Sequence, residues 1–292
     1  MTPAASPILA DDPARIAPSG TQGEAIPCPL CDYDLRGLAD PRCPECGYCF
    51  TWDELSDPAR RFHPYLFEHH PERNARAFAR TLLAGVLPRR FWSTLYPTQP
   101  SRPQRLVTYW ALCAIPLLML AAVQCWLIVS ETVKRFAPRL PPRLMWQRYA
   151  DWSVMYDKDG GGYVRTSVAL VLWPWLTLAT LLVFRVSMRQ ARLRPTHVLR
   201  CVLYTSDLAL YFAVPFALVI LFTIVGQKWP PKDLVDGLGP LLALAAWLLL
   251  CYRLFTAYRL YLRFDHPLAT VVASQVMVAL VYWKLWYVAQ GL

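Results

Sequence analysis

Hydrophobic and polar positions divide this chain sharply near Arg105. Before it the sequence is polar and rich in proline; after it come apolar runs close to the roughly 20 residues that a helix needs to cross a bilayer. Five such runs stand out: about Leu106 to Ser130, Val164 to Ser187, Val202 to Val225, Leu238 to Tyr258 and Leu268 to Val288. A soluble helical bundle would leave a polar face on each helix, and stretches such as "LGPLLALAAWLLLCY" have none. The pattern predicts an all-α multi-span membrane protein with five transmembrane helices over 106–292. A short apolar stretch at 78–87, "FARTLLAGVL", predicts a surface helix ahead of the first span.

Arginines beside the runs suggest how the spans are oriented. Arg89, Arg90, Arg102 and Arg105 precede span one. Arg189, Arg192, Arg194 and Arg200 fall between spans two and three, and Arg253, Arg259 and Arg263 follow span four. This places the N-terminus in the cytosol and the C-terminus across the membrane. The loop at 131–165 conflicts with it, carrying seven Lys/Arg and four acidic residues on the far side. In that loop Trp146, Tyr149, Trp152 and Tyr156 recur at helical spacing, which predicts an amphipathic helix in the interface.

Composition agrees with a membrane body and a polar head. Over half the residues are hydrophobic, and the net charge of +10 is concentrated beside the spans rather than along one soluble face. That placement argues for membrane topology and against nucleic acid as a partner. Residues 1–26 lack a basic-then-apolar leader pattern and read as a disordered tail. Residues 51–105 read as a cytosolic linker with amphipathic helices.

The candidate chemistry lies in 27–50. Cys28 and Cys31, then Cys43 and Cys46, form two CxxC pairs separated by eleven residues, the spacing of a tetrahedral S4 metal site. A unit this small has no core of its own, so a metal must hold it. Zinc is the expected ion, and a rubredoxin-like iron site would use the same four thiolates. Disulfides are disfavoured on a reducing side. Cys49 reads as a spare thiol, and Cys113, Cys125, Cys201 and Cys251 as small apolar residues in or beside spans.

Other motifs carry less. In "RFHPYLFEHHPER" the spacing of His63, His69 and His70 does not favour a metal pair, and a solvated helix is expected. "DKDGGG" at 157–162 lacks the glutamate that a calcium loop needs and reads as a turn. Gln124, Asp207, Gln275 and Lys284 are the functional candidates among the polar residues inside spans; Asp207 reads as a helix cap and Lys284 as a snorkelling residue. Pro116, Pro174 and Pro215 are expected to kink the first three spans. No nucleophile motif or paired intramembrane carboxylate points to catalysis.

The head resembles the short zinc-ribbon at the N-terminus of uncharacterised bacterial membrane proteins, with the pattern CPxCxYDLRGL…RCPECG reproduced from Cys28 through Gly47. The body is similar to Yip-type (Rab-interacting) five-span proteins in span count and in the segments "PRRFWSTLYPTQPSRPQRL" and "HVLRCVLYTSDLALYFAVP". The long basic loop departs from that group, and its acidic motif before span one is not evident. The resemblance implies a bacterial cytoplasmic membrane and a role in membrane organisation without catalysis. The expected function is therefore a non-enzymatic membrane protein whose ribbon docks a protein partner or stabilises the membrane assembly. A transporter regulated by the ribbon, with a polar cavity near the three prolines, is the alternative, and a redox- or metal-sensing membrane protein a further one.

Overall fold

The computed structural model describes residues 25–57, 62–136, 161–187, 193–224, 232–264 and 266–291. The tail at 1–24, the aromatic segment at 144–156 and most of the glycine-rich turn lie outside those residues. Among the described residues nine α-helices follow the ribbon: α1 (Trp52–Ser56), α2 (Asn74–Gly85), α3 (Pro88–Ser93), α4 (Pro103–Phe136), α5 (Gly161–Ser187), α6 (Pro195–Leu203), α7 (Leu208–Ile224), α8 (Lys232–Leu260) and α9 (Pro267–Gly291). Among the described residues five segments are long and apolar enough to cross a membrane: Pro103–Leu127, Thr166–Val183, Pro195–Leu218, Ala243–Leu260 and Pro267–Leu285. The protein is an all-α multi-span membrane protein with an N-terminal four-cysteine unit.

The helices run on through Pro116, Pro174 and Pro215. Span three is interrupted elsewhere, at Tyr204–Asp207, where Thr205, Ser206 and Leu208 donate to carbonyls only three residues back. That tightening separates α6 from α7. The outward faces of α4, α7 and α8 expose Ile115, Met119, Val214, Leu221, Leu244 and Leu248, as lipid-facing surfaces require.

Two layers result. Around α7 and the middle of α4 and α5 lies a small membrane core of Ala114, Leu117, Val171, Ala213 and Phe216. At the head end a larger core joins ribbon, loop and span ends, with Leu30, Leu35, Phe67, Trp92, Tyr109, Tyr204, Tyr258 and Tyr261 in one cluster. Aromatic edges and faces knit it: Tyr109 meets Tyr204 at 5.1 Å and Trp92 meets Tyr261 at 5.6 Å between ring centres. The segment around His63 is neither helical nor solvated. Leu66, Phe67 and Glu68 are fully buried, and His63 and His69 nearly so. The period-free pattern of "FHPYLFEHH" hid an irregular loop folded beneath the spans.

Candidate metal centre and the polar layer beneath it

Each half of the ribbon is the same local structure, repeated fifteen positions on. The Cys28 amide donates to the Tyr33 carbonyl at 2.7 Å, and the Cys43 amide to the Tyr48 carbonyl at 2.9 Å. The Asp32 amide donates back to the Cys28 carbonyl, and that of Gly47 to the Cys43 carbonyl. Bridges between Pro27 and Asp34 and between Arg42 and Cys49 close the two turns. Each turn needs a left-handed residue after its second cysteine, supplied by Asp32 at φ 68° and Gly47 at φ 73°. The sequence holds this repeat openly, as "CPLCDYDL" and "CPECGYCF". Its fifteen-residue period was available from the residues, and it explains Cys49. That thiol stands where Asp34 stands in the first half, exposed and outside the cluster.

The turns bring Cys28, Cys31, Cys43 and Cys46 face to face, all four sulfurs within 4.8 Å of one another. Cys28 lies 3.6 Å from Cys46, and Cys31 3.5 Å from Cys43. Four thiolates at ~2.3 Å around one zinc ion would stand about 3.8 Å apart, so the donor set fits the ion. These distances are too long for disulfides. Packed this closely, the thiols differ in acidity. A hydrogen bond from Cys46 draws Cys28 down to about 5. Burial pushes Cys31 up to about 12, and the contact with Cys28 pushes Cys46 up further. A dication in their midst would allow all four to ionise together.

The ribbon is seated on the helix bundle. The Arg194 amide donates to the Leu30 carbonyl at 2.8 Å, and the Arg194 guanidinium pairs with Asp32. On the other side Arg263, in the turn between α8 and α9, donates to the Cys49 carbonyl and lies over the Tyr48 ring at 5.0 Å. Arg263 holds φ 53°, a costly conformation for a side chain with a Cβ, and this contact accompanies it. His197 reaches the first knuckle from α6. Its Nε2 lies 2.8 Å from the Pro29 carbonyl and its Nδ1 2.7 Å from the Tyr261 hydroxyl. Because a carbonyl only accepts, Nε2 carries the proton and Nδ1 accepts from Tyr261.

From Tyr261 the contacts continue inward. Arg200, fully buried, donates to the Tyr261 hydroxyl at 2.8 Å, to the Pro100 carbonyl at 2.7 Å and to Glu68 at 2.9 Å. Glu68 is fully buried too, and also accepts from Tyr204 at 3.0 Å and from the Arg102 amide at 2.8 Å. A second buried pair, Asp207 with Arg253, lies towards the membrane, and Arg253 donates as well to the carbonyl of Gly85. Asp207 is thus an ion-pair partner rather than a simple helix cap. Deeper in the spans, Gln275 of α9 accepts from Trp173 of α5 at 2.7 Å, while Gln124 is buried with its amide oxygen unpartnered. Lys284 is exposed.

Sequence reasoning assigned Arg200 and Arg253 to topology and missed both pairs. The available signal was placement: Arg200 sits inside "HVLRCVLY", enclosed by apolar residues on both sides, and Glu68 directly follows the apolar "YLF". Between α5, α7, α8 and α9 lies a cavity of about 430 Å³ lined by Leu170, Trp173, Phe212, Ala246, Trp247 and Tyr282 among others. Its walls are apolar apart from Thr166, and none of the three prolines lines it. No known family model matches the chain, and no curated protein or solved structure does either.

Proposed function

We propose that the four cysteines hold one zinc ion and that the ribbon so formed acts as a clamp, fixing the head-side ends of a non-enzymatic five-span membrane protein. One observation carries this reading. The ribbon's first knuckle is bonded by α6 through Arg194 and His197, and its second by the α8–α9 turn through Arg263. Two turns that join different pairs of spans are thereby tied to one small unit. A metal on the thiolates would supply the folding free energy that the ribbon's few apolar residues cannot.

Of the two roles expected for the ribbon, stabilising the membrane assembly is the one these contacts favour, because its inner face is occupied by its own bundle. Leu30 and Leu35 are fully buried there. The span count supports the likeness to Yip-type membrane organisers. A cytosolic head and a C-terminus across a bacterial cytoplasmic membrane complete the proposal. A transporter reading draws nothing from the apolar lining of the cavity.

Elemental analysis of the detergent-purified protein tests this, wild type beside Cys46→Ser. About one zinc per chain, lost in the variant, is the expected result for an S4 site. Iron, with the strong visible absorption of an iron–thiolate centre, would replace the structural role with electron transfer.

A further inference from the structure

The head-side arginines fall into two groups. Arg105, Arg194, Arg200, Arg253 and Arg263 are engaged inside the protein, on Phe67 and Asn74, Asp32, Glu68, Asp207, and Cys49 with Glu54. Others are exposed: Arg73, Arg102 and Arg259, and a set of four, Arg76, Arg80, Arg89 and Arg90. All four belong to α2 and α3, and no acidic residue occurs in sequence between Glu72 and Glu131. The turn between those helices also exposes Leu83, Val86 and Leu87, at 68%, 54% and 59% of their surface. In a soluble hairpin such a tip would be a liability; here its depth explains it.

Three contacts set that depth. The Leu82 carbonyl accepts from Tyr211 of α7 at 2.6 Å, the Gly85 carbonyl accepts from Arg253 of α8, and Arg89 lies over the Tyr252 ring at 5.9 Å. Arg253 is seven residues before the end of α8, about 10 Å along the helix from the head-side terminus. Tyr252 beside it is exposed, and beyond it the outward faces of α7 and α8 are lined with Val214, Leu218, Leu248 and Leu249. The hairpin tip is therefore level with the start of the lipid-facing surface.

We infer that the α2–α3 hairpin is an interfacial membrane element. Leu83, Val86 and Leu87 enter the boundary of the acyl chains, and Arg89 and Arg90, backed by Arg76 and Arg80, bind the phosphates of anionic phospholipid. Apolar side chains beside arginine on a surface element suit that interface. Each arginine near an anionic surface is worth roughly fivefold in lipid preference.

The test uses the full chain in nanodiscs of phosphatidylcholine with phosphatidylglycerol. A photo-crosslinking amino acid in place of Leu87 should give lipid adducts by mass spectrometry. The same probe at Arg73, in the turn before α2, should give none. Retained phosphatidylglycerol relative to phosphatidylcholine should fall about tenfold or more in R89Q/R90Q and persist in R89K/R90K. Adducts of the Leu87 probe with protein or solvent alone would overturn the inference and assign the tip to a protein partner or to water. An unchanged lipid ratio in R89Q/R90Q would overturn it equally. The crosslink leaves both arginines in place, so it stands even where that variant does not fold.

Discussion

Glu68 and Arg200 are 132 positions apart in sequence and both fully buried. Removing one charge strands the other, at a cost of about 3–5 kcal/mol, whereas replacing both with apolar residues of similar volume is often neutral or better. Arg200→Met alone should therefore lower the unfolding midpoint strongly, and Glu68→Leu with Arg200→Met should recover much of the loss. Thermal unfolding in detergent measures both. Next to this pair, burial holds His63 down at about 4, with the charge of Arg200 and the neighbouring His69 and His70 adding to it. Between pH 6.5 and about 4 the unfolded chain binds a proton at His63 that the folded chain refuses. Stability should fall as pH drops through that window, by up to about 1.4 kcal/mol per unit, and this contribution should be flat above it. His63→Gln should make the profile shallower, with His69, also held down by burial, keeping part of the slope. At this scale the sequence was informative only where spacing is itself chemistry. Four cysteines in two pairs announce their site, while a glutamate and an arginine far apart do not announce each other.

Helices were more legible than their joints. Apolar runs are long signals, so each span was apparent, though the ends moved: span three begins with α6, at Pro195, and the helix that carries span four extends back to Lys232. The interruption at Tyr204–Asp207 was not apparent: there the Thr205 and Ser206 hydroxyls bond back to the Val202 and Leu203 carbonyls, and Asp207 is buried against Arg253 of another helix. The prolines expected to kink the first three spans are carried within continuous helices. α2 packs closely against this joint through Gly85. A Cβ added to Gly85 would lie 2.5 Å from Asp207 Oδ2 and 3.2 Å from Arg253 Nη2. Gly85→Ala should accordingly destabilise the protein by about 1–3 kcal/mol despite its better helix propensity, with the shift read from denaturant unfolding. A midpoint equal to that of wild type would mean that α2 is free to lift away from the spans.

For the whole molecule, the arginines have two uses. A bias of positive charge beside the spans reads as topology, yet five of these side chains are internal partners that bind ribbon, loop and helices into one head layer. Charge counting has no access to that distinction, since it depends on which residues become buried. The ribbon closes the layer from outside: through Pro29, His197, Tyr261 and Arg200 it connects by hydrogen bonds to Glu68 at the centre. If the ribbon is a clamp, its metal should stabilise segments that hold no metal ligand. Hydrogen exchange by mass spectrometry, comparing the metal-loaded protein with protein stripped by chelator, examines this most directly. The account predicts faster exchange after stripping in 26–50 and also in 193–204 and 258–264. Faster exchange confined to 26–50 would contradict it, leaving the ribbon a separate module that rests on the bundle without holding it.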